Sequence, residues 1–239
     1  MTTASKIALV TGGNKGIGLA IVTGLAAKGF TVLMGTRDPA QTADELAGDV
    51  RPVQLDVTSQ HQVDALAQHV ETEFGRLDVL VNNAGVHPLL FRPLDHIPRP
   101  TEEIVEDYRN VYEVNVFAVV RMMNAFLPLL DKAEAPRVVN VTSMRGSLGE
   151  PGAWAGQPSM VYSSSKTALN ALTAHYAREF AGTKLKINGA APGHVATDFN
   201  QHRGTRTPEE GAAVAIRLAT VDDDGPSGEV YQDDTRLAW

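Results

Sequence analysis

The sequence contains no cysteine. Disulfides, thiolate catalysis and cysteine-ligated zinc are therefore excluded. It also lacks a long apolar run. Nothing in it approaches the ~20 apolar residues of a bilayer-spanning helix, and the opening "MTTASKIALV" has no secretory h-region. An excess of positive charge is missing too: the formal net charge is −7. That argues against non-specific binding to nucleic acid or an anionic membrane, so any basic residue used for binding acts locally. The seven histidines form no HExxH or other tight ligand pair, and no metal site is expected. Repeats, linkers and low-complexity tracts are absent. With 43% hydrophobic residues the chain has material for a proper core. The expectation is a cytoplasmic protein folded as one domain over residues 1–239.

What is present is an alternation. Short apolar runs, "KIALVT" (6–11), "FTVLMG" (30–35), "RPVQLD" (51–56), "LDVLVN" (with Asp78), "RVVNVTS" (137–143) and "KLKINGAAPG" (184–193), are separated by helical patterns. Nearly continuous apolar runs mark strands buried on both faces, hence a parallel sheet covered by helices. Helical spacing covers 16–28, 60–74, about 102–130 (with Pro128 bending or ending it), about 160–181, and a last helix after Pro208 with Thr207 as cap. This order predicts a doubly wound α/β sheet. Segments 86–101 and 144–160 follow carboxyl ends of strands, the edge where such sheets bind ligands. Met122–Met123 reads as core filler.

After the first strand comes "TGGNKGIG" (11–18). Glycines there let backbone approach a diphosphate, and the helix from Gly16 offers free N–H groups and a positive dipole end. The spacing of Gly12, Gly16 and Gly18 is not G-x-G-x-x-G, and a tight turn without ligand gives a similar pattern. Asn14, Lys15 and Ile17 belong to the same turn. Thr36 follows the second strand, where many NAD-binding folds place an acid; Arg37 comes next. Arginine suits a ribose 2′-phosphate. With Lys15 it reads as a phosphate clamp, favouring NADP(H), although Asp38 would repel phosphate if it pointed inward.

Further motifs are "VNNAG" (81–85), "VNVTS" (139–143) and "YSSSK" (162–166). Together, in this order and over nearly the whole chain, they resemble the short-chain dehydrogenase/reductase family. "TGGNKGIGLAIV", "LDVLVNNAG", "RVVNVTS" and a terminal Trp239 are similar to its NADPH-dependent carbonyl reductases. The resemblance implies a Rossmann-type domain and a catalytic group of Asn115, Ser143, Tyr162 and Lys166. Tyr162 and Lys166, four apart on one helix, share a face. An ammonium near the phenol is expected to lower its pKa, two units amounting to about 2.7 kcal/mol. Tyr162 would then donate a proton to the carbonyl oxygen, and Ser143 would hold that oxygen. Tyr162 and Lys166 would also count among the cofactor-binding residues, Lys166 through the nicotinamide ribose hydroxyls, as the family implies. Asn115 stands in an apolar helical pattern; in the family the matching residue opens the helix and holds a relay water, and otherwise it is a satisfied core amide.

Asn83, Ala84 and Gly85 leave room beside the adenine-ribose, or Asn83 caps a turn. Asp56, with Val57 following, is a candidate for the adenine amino group and equally a loop cap. Pro192, Gly193, Val195 and Thr197 match the segment that closes over the nicotinamide carboxamide. His87 and His194 are candidates to border the pocket.

The chain departs from the family in three places. The Ser143–Tyr162 spacing is long and carries Trp154. The carboxyl end lacks the usual glycine-rich stretch. The lid at 196–207 is short, which predicts an open site and broad acceptance of carbonyl compounds. The first two leave monomer and homo-oligomer both open. The principal reading is an NADPH-dependent reductase of a small-molecule ketone, aldehyde or quinone. The alternatives are an alcohol or hydroxysteroid-type dehydrogenase running oxidatively, and a dinucleotide-sensing protein without turnover.

Overall fold

In a computed structural model of the chain, residues 5–41, 46–91, 96, 98–156 and 159–239 are described. The apolar runs form strands β1 (Ile7–Thr11), β2 (Thr31–Thr36), β3 (Val50–Gln54), β4 (Val79–Asn82), β5 (Arg137–Val141) and β6 (Lys186–Ala190). Between them lie helices α1 (Gly16–Ala27), α2 (Gln60–Phe74), α3 (Val105–Tyr112), α4 (Ala118–Leu130), α5 (Met160–Glu179) and α6 (Pro208–Ala219). Two short strands, β7 (Val230–Gln232) and β8 (Thr235–Arg236), complete an eight-stranded sheet of order β3-β2-β1-β4-β5-β6-β7-β8. All neighbouring pairs are parallel except the β7–β8 hairpin. Strand order reverses direction between β1 and β4, which places a crevice at their carboxyl ends.

Alternation along each strand builds two cores. Ile7, Leu9, Leu33, Leu80, Val138 and Ile187 pack with α2, α4 and α5 on one face. Ala8, Val10, Val32, Met34, Val81 and Val139 pack with α1 and α6 on the other. β3 departs from the expected two-sided burial: none of its residues is fully buried. It is the sheet edge, which is why Pro52, lacking an N–H, is tolerated there.

The 102–130 pattern resolves into α3, a π-helical turn over Glu113–Phe117, and α4. Pro128 lies inside α4, two residues before its end. By length and composition the continuous stretch Val105–Leu130 passes for a membrane-spanning helix, which the sequence reading did not anticipate. Half of that window is buried inside the protein, as in a core helix.

Candidate active site

The glycine turn is shaped by contacts that exclude side chains. A Cβ on Gly18 would lie 2.2 Å from the Gly12 carbonyl oxygen and 2.5 Å from Asn83 Nδ2. Gly12 and Gly16 have φ of 61° and 53°, a region that favours glycine. Asn83 locks the turn from below, donating to the carbonyls of Thr11 (2.9 Å) and Gly12 (3.0 Å). Thr11 Oγ1 accepts from the N–H groups of both Asn83 and Ala84. The turn-cap alternative for Asn83 is thus realised, and it fixes the crevice floor. The first turn of α1 has no side-chain cap among the described residues, so its leading N–H groups can face an anion. This fits a dinucleotide diphosphate.

Lys15 is exposed and ion-paired with Asp198 at 3.1 Å, its charge shared with the segment after β6 rather than free. Thr197 touches the turn as well: a Cβ on Gly16 would sit 3.2 Å from its methyl group. Arg37 is exposed, and its side chain makes no hydrogen bond or close ion pair among the described residues, though its charge acts on Asp56; its carbonyl accepts from Gln54 Nε2. Asp56 is a loop cap in this structure, accepting from the N–H (2.9 Å) and Oγ1 (2.7 Å) of Thr58. Burial opposes ionisation of Asp56, but the Thr58 hydrogen bonds and the Arg37 charge together hold its carboxyl below the usual range. Val57 is buried beside it.

Asn115 is 1% exposed, in the π turn. Its Oδ1 accepts from the Val86 N–H (2.8 Å), and its Nδ2 donates to the Val86 carbonyl and Ser165 Oγ (both 3.0 Å). This is the satisfied amide that the sequence left open, and the opened helix is also there. Asn115 Oδ1 and Lys166 Nζ flank Gly85, each 3.5 Å from where its Cβ would be.

Ser143 follows β5, its Oγ accepting from the Arg145 N–H at 3.2 Å. Tyr162 and Lys166 do share a face of α5. The expected effect of one on the other is corrected, however. Lys166 is 4% exposed, and its Nζ donates to the Val141 carbonyl at 2.9 Å, 5.8 Å from the centre of the Tyr162 ring. A buried ammonium needs an acceptor, and the end of β5 supplies it. Burial brings Lys166 down to about 8. Burial also pushes the Tyr162 phenol up to about 12, against the Ser143 hydrogen bond and the charge of Arg145. The phenol is therefore fully protonated at neutral pH.

Around Tyr162 stand aromatic rings. His87 lies 5.5 Å and Phe199 5.6 Å away, centroid to centroid, and those two are 6.0 Å apart. His87 thus borders the site as expected; its Nδ1 accepts from the Leu89 N–H (3.3 Å). His194 contributes its carbonyl to Thr205 and Arg206. Pro192 and Val195 are buried and Gly193 is exposed with φ 78°; Val195 pairs with Arg206. Phe199 and the charge of Arg145 had no signal in the sequence, because loop geometry rather than spacing brings them towards Tyr162.

Burial lowers His87 to about 4 from its usual 6.5. A base with a depressed folded-state pKa contributes no penalty above 6.5 and costs stability as pH falls towards 4. His87→Phe is expected to remove that component, worth up to about 3 kcal/mol across the window. Urea unfolding of both proteins at pH 4.5 and 7.5 measures it; a variant with the same acid loss as the parent contradicts the assignment.

The profile of the family described as short chain dehydrogenase matches residues 6–208. "Short-chain dehydrogenase/reductase 1" of Saponaria officinalis is 34% identical, over 95% of this chain and 93% of that protein. Salutaridine reductase from Papaver somniferum superposes with a TM-score of 0.81 at 31% identity, covering 95% of this chain and 99% of that one. The Pseudomonas aeruginosa RhlG/NADP active-site complex gives the same TM-score, 0.81, at 32% identity, covering 97% and 96%. With the motifs on one sheet edge and these likenesses along almost its full length, the chain belongs to the short-chain dehydrogenase/reductase family.

Proposed function

We propose that the protein is an NADPH-dependent reductase of ketones, aldehydes or quinones. The observation that carries this reading is the pair Tyr162 and Lys166 on one face of α5, with Ser143 just past the end of β5 and the start of α1 without a side-chain cap among the described residues. A nicotinamide cofactor supplies the hydride when bound. The chain's own residues hold it and manage the proton. The first N–H groups of α1, with Asn14 and Ile17, receive the diphosphate, and Arg37 with Lys15 the 2′-phosphate. Asp56 and Val57 border the adenine, and Asn83–Gly85 the adjoining ribose. Pro192, Gly193, Val195 and Thr197 face the carboxamide. Lys166 takes the nicotinamide ribose hydroxyls, with Asn115 behind it.

Ser143 donates a hydrogen bond to the substrate oxygen as charge builds there, and the Tyr162 hydroxyl transfers its proton to that oxygen. With burial pushing it up to about 12, the phenol carries its proton at neutral pH, the form that carbonyl reduction uses. The structural likeness to salutaridine reductase and to RhlG with NADP supports the same assignment. The test is consumption of NADPH, followed at its absorbance, with a panel of aromatic ketones, aldehydes and quinones. Turnover of one class is expected; reduction of none, with alcohols oxidised by NAD instead, overturns the proposal.

A further inference from the structure

Helix α5, which carries Tyr162, starts without a cap of its own. Ser159 holds the N-cap position with extended backbone, and its residue type favours capping. Yet it makes no side-chain cap bond, and its hydroxyl is buried without a partner among the described residues. The carboxylate of Glu103, 58 positions earlier, takes over: its Oε2 accepts from the Val161 N–H at 3.0 Å. The same oxygen accepts from the Tyr108 hydroxyl at 3.1 Å, which ties the carboxylate to α3. The other oxygen, Oε1, is buried without a partner among the described residues.

Tyr162 is the third residue of α5, inside the first turn. That turn has orphan N–H groups and frays unless they are met. We propose that Glu103 is a positioning residue for Tyr162, a cap supplied from the segment before α3 that fixes the first turn of α5 and so the phenol. The proposal rests on the reading of Tyr162 as proton donor. A carboxylate at a helix amino end meets both the free amide and the dipole. Burial pushes the Glu103 carboxyl up, so holding it ionised there carries a cost that a local serine cap would avoid. The remote cap makes the placement of the phenol depend on the segment leading into α3. Proton transfer is sensitive to such placement: a shift of about 1 Å costs on the order of 10²-fold in rate.

The experiment uses the full chain carrying Glu103→Ala, Glu103→Gln, and Glu103→Ala combined with Ser159→Asp. Hydrogen exchange of the amides of residues 161–163 is measured together with NADPH-dependent reduction of an aromatic ketone. Glu103→Ala is expected to speed exchange of those amides about tenfold or more and to lower kcat at least about tenfold, with the KM for NADPH within about twofold. Glu103→Gln, which keeps an acceptor oxygen, loses less. Ser159→Asp, an effective local cap, restores both protection and kcat in the alanine background. Unchanged protection in Glu103→Ala overturns the proposal. So does a joint loss of kcat, NADPH affinity and melting temperature that Ser159→Asp fails to rescue. If the parent protein reduces no carbonyl compound, the proposed function fails, while the exchange data still decide whether Glu103 holds the turn.

Discussion

Tyr162→Phe is expected to lower kcat for carbonyl reduction by about 10²- to 10⁴-fold, the range for loss of a general acid. The ring keeps its contacts with His87 and Phe199, so the pocket wall stays in place. The KM for NADPH should move little, because the ring of residue 162 is kept and the other groups assigned to the cofactor lie on other elements or, for Lys166, a turn further along α5. Without the phenolic hydroxyl Ser143 alone holds the substrate oxygen, and residual turnover comes from that contact and from binding. Melting temperature should stay within a few degrees of the parent. Steady-state kinetics with NADPH and an aromatic ketone check this; a variant with full activity removes Tyr162 from the mechanism.

Arg37→Ala is expected to weaken NADPH by about 10- to 100-fold and NADH by less than about twofold. Hydrogen bonds to a charged group are worth about 1.5–3 kcal/mol, which converts to that range. Arg37 is exposed and its charge acts on Asp56 without a close ion pair among the described residues, so its guanidinium is available to a 2′-phosphate. Lys15 is not in that position: its ammonium faces Asp198, and its contribution is offset by the loss of that contact. Fluorescence titration with both dinucleotides decides the matter. Equal losses refute a phosphate clamp at Arg37.

Legibility followed burial. β1, β2, β4 and β5 were readable because every residue in them is buried, which leaves a continuous apolar run. β7 and β8 have three and two residues and almost no burial, too little to print a pattern. The glycine turn was readable because packing forbids a Cβ at Gly18. Spacing put Tyr162 and Lys166 on one helix face, but a shared face does not fix where a four-carbon side chain sends its head group. The Lys166 ammonium followed the nearest buried acceptor, the Val141 carbonyl. Arg145, Phe199 and Glu103 come to Tyr162 or its helix turn through loops, whose course no periodicity encodes.

The contact between Lys15 and Asp198 spans 183 positions of sequence. It couples the mouth of the nucleotide crevice to the strap that carries Phe199 over the phenol. The Asp198 carboxylate is thus the counter-charge that Lys15 already has in this structure, 3.1 Å away. Both partners are open to water, with side-chain exposures of 68% and 60%, so added salt screens this link readily. Raised ionic strength is therefore expected to weaken this link between the glycine turn and the strap, while His202 still faces the same carboxylate at 3.0 Å.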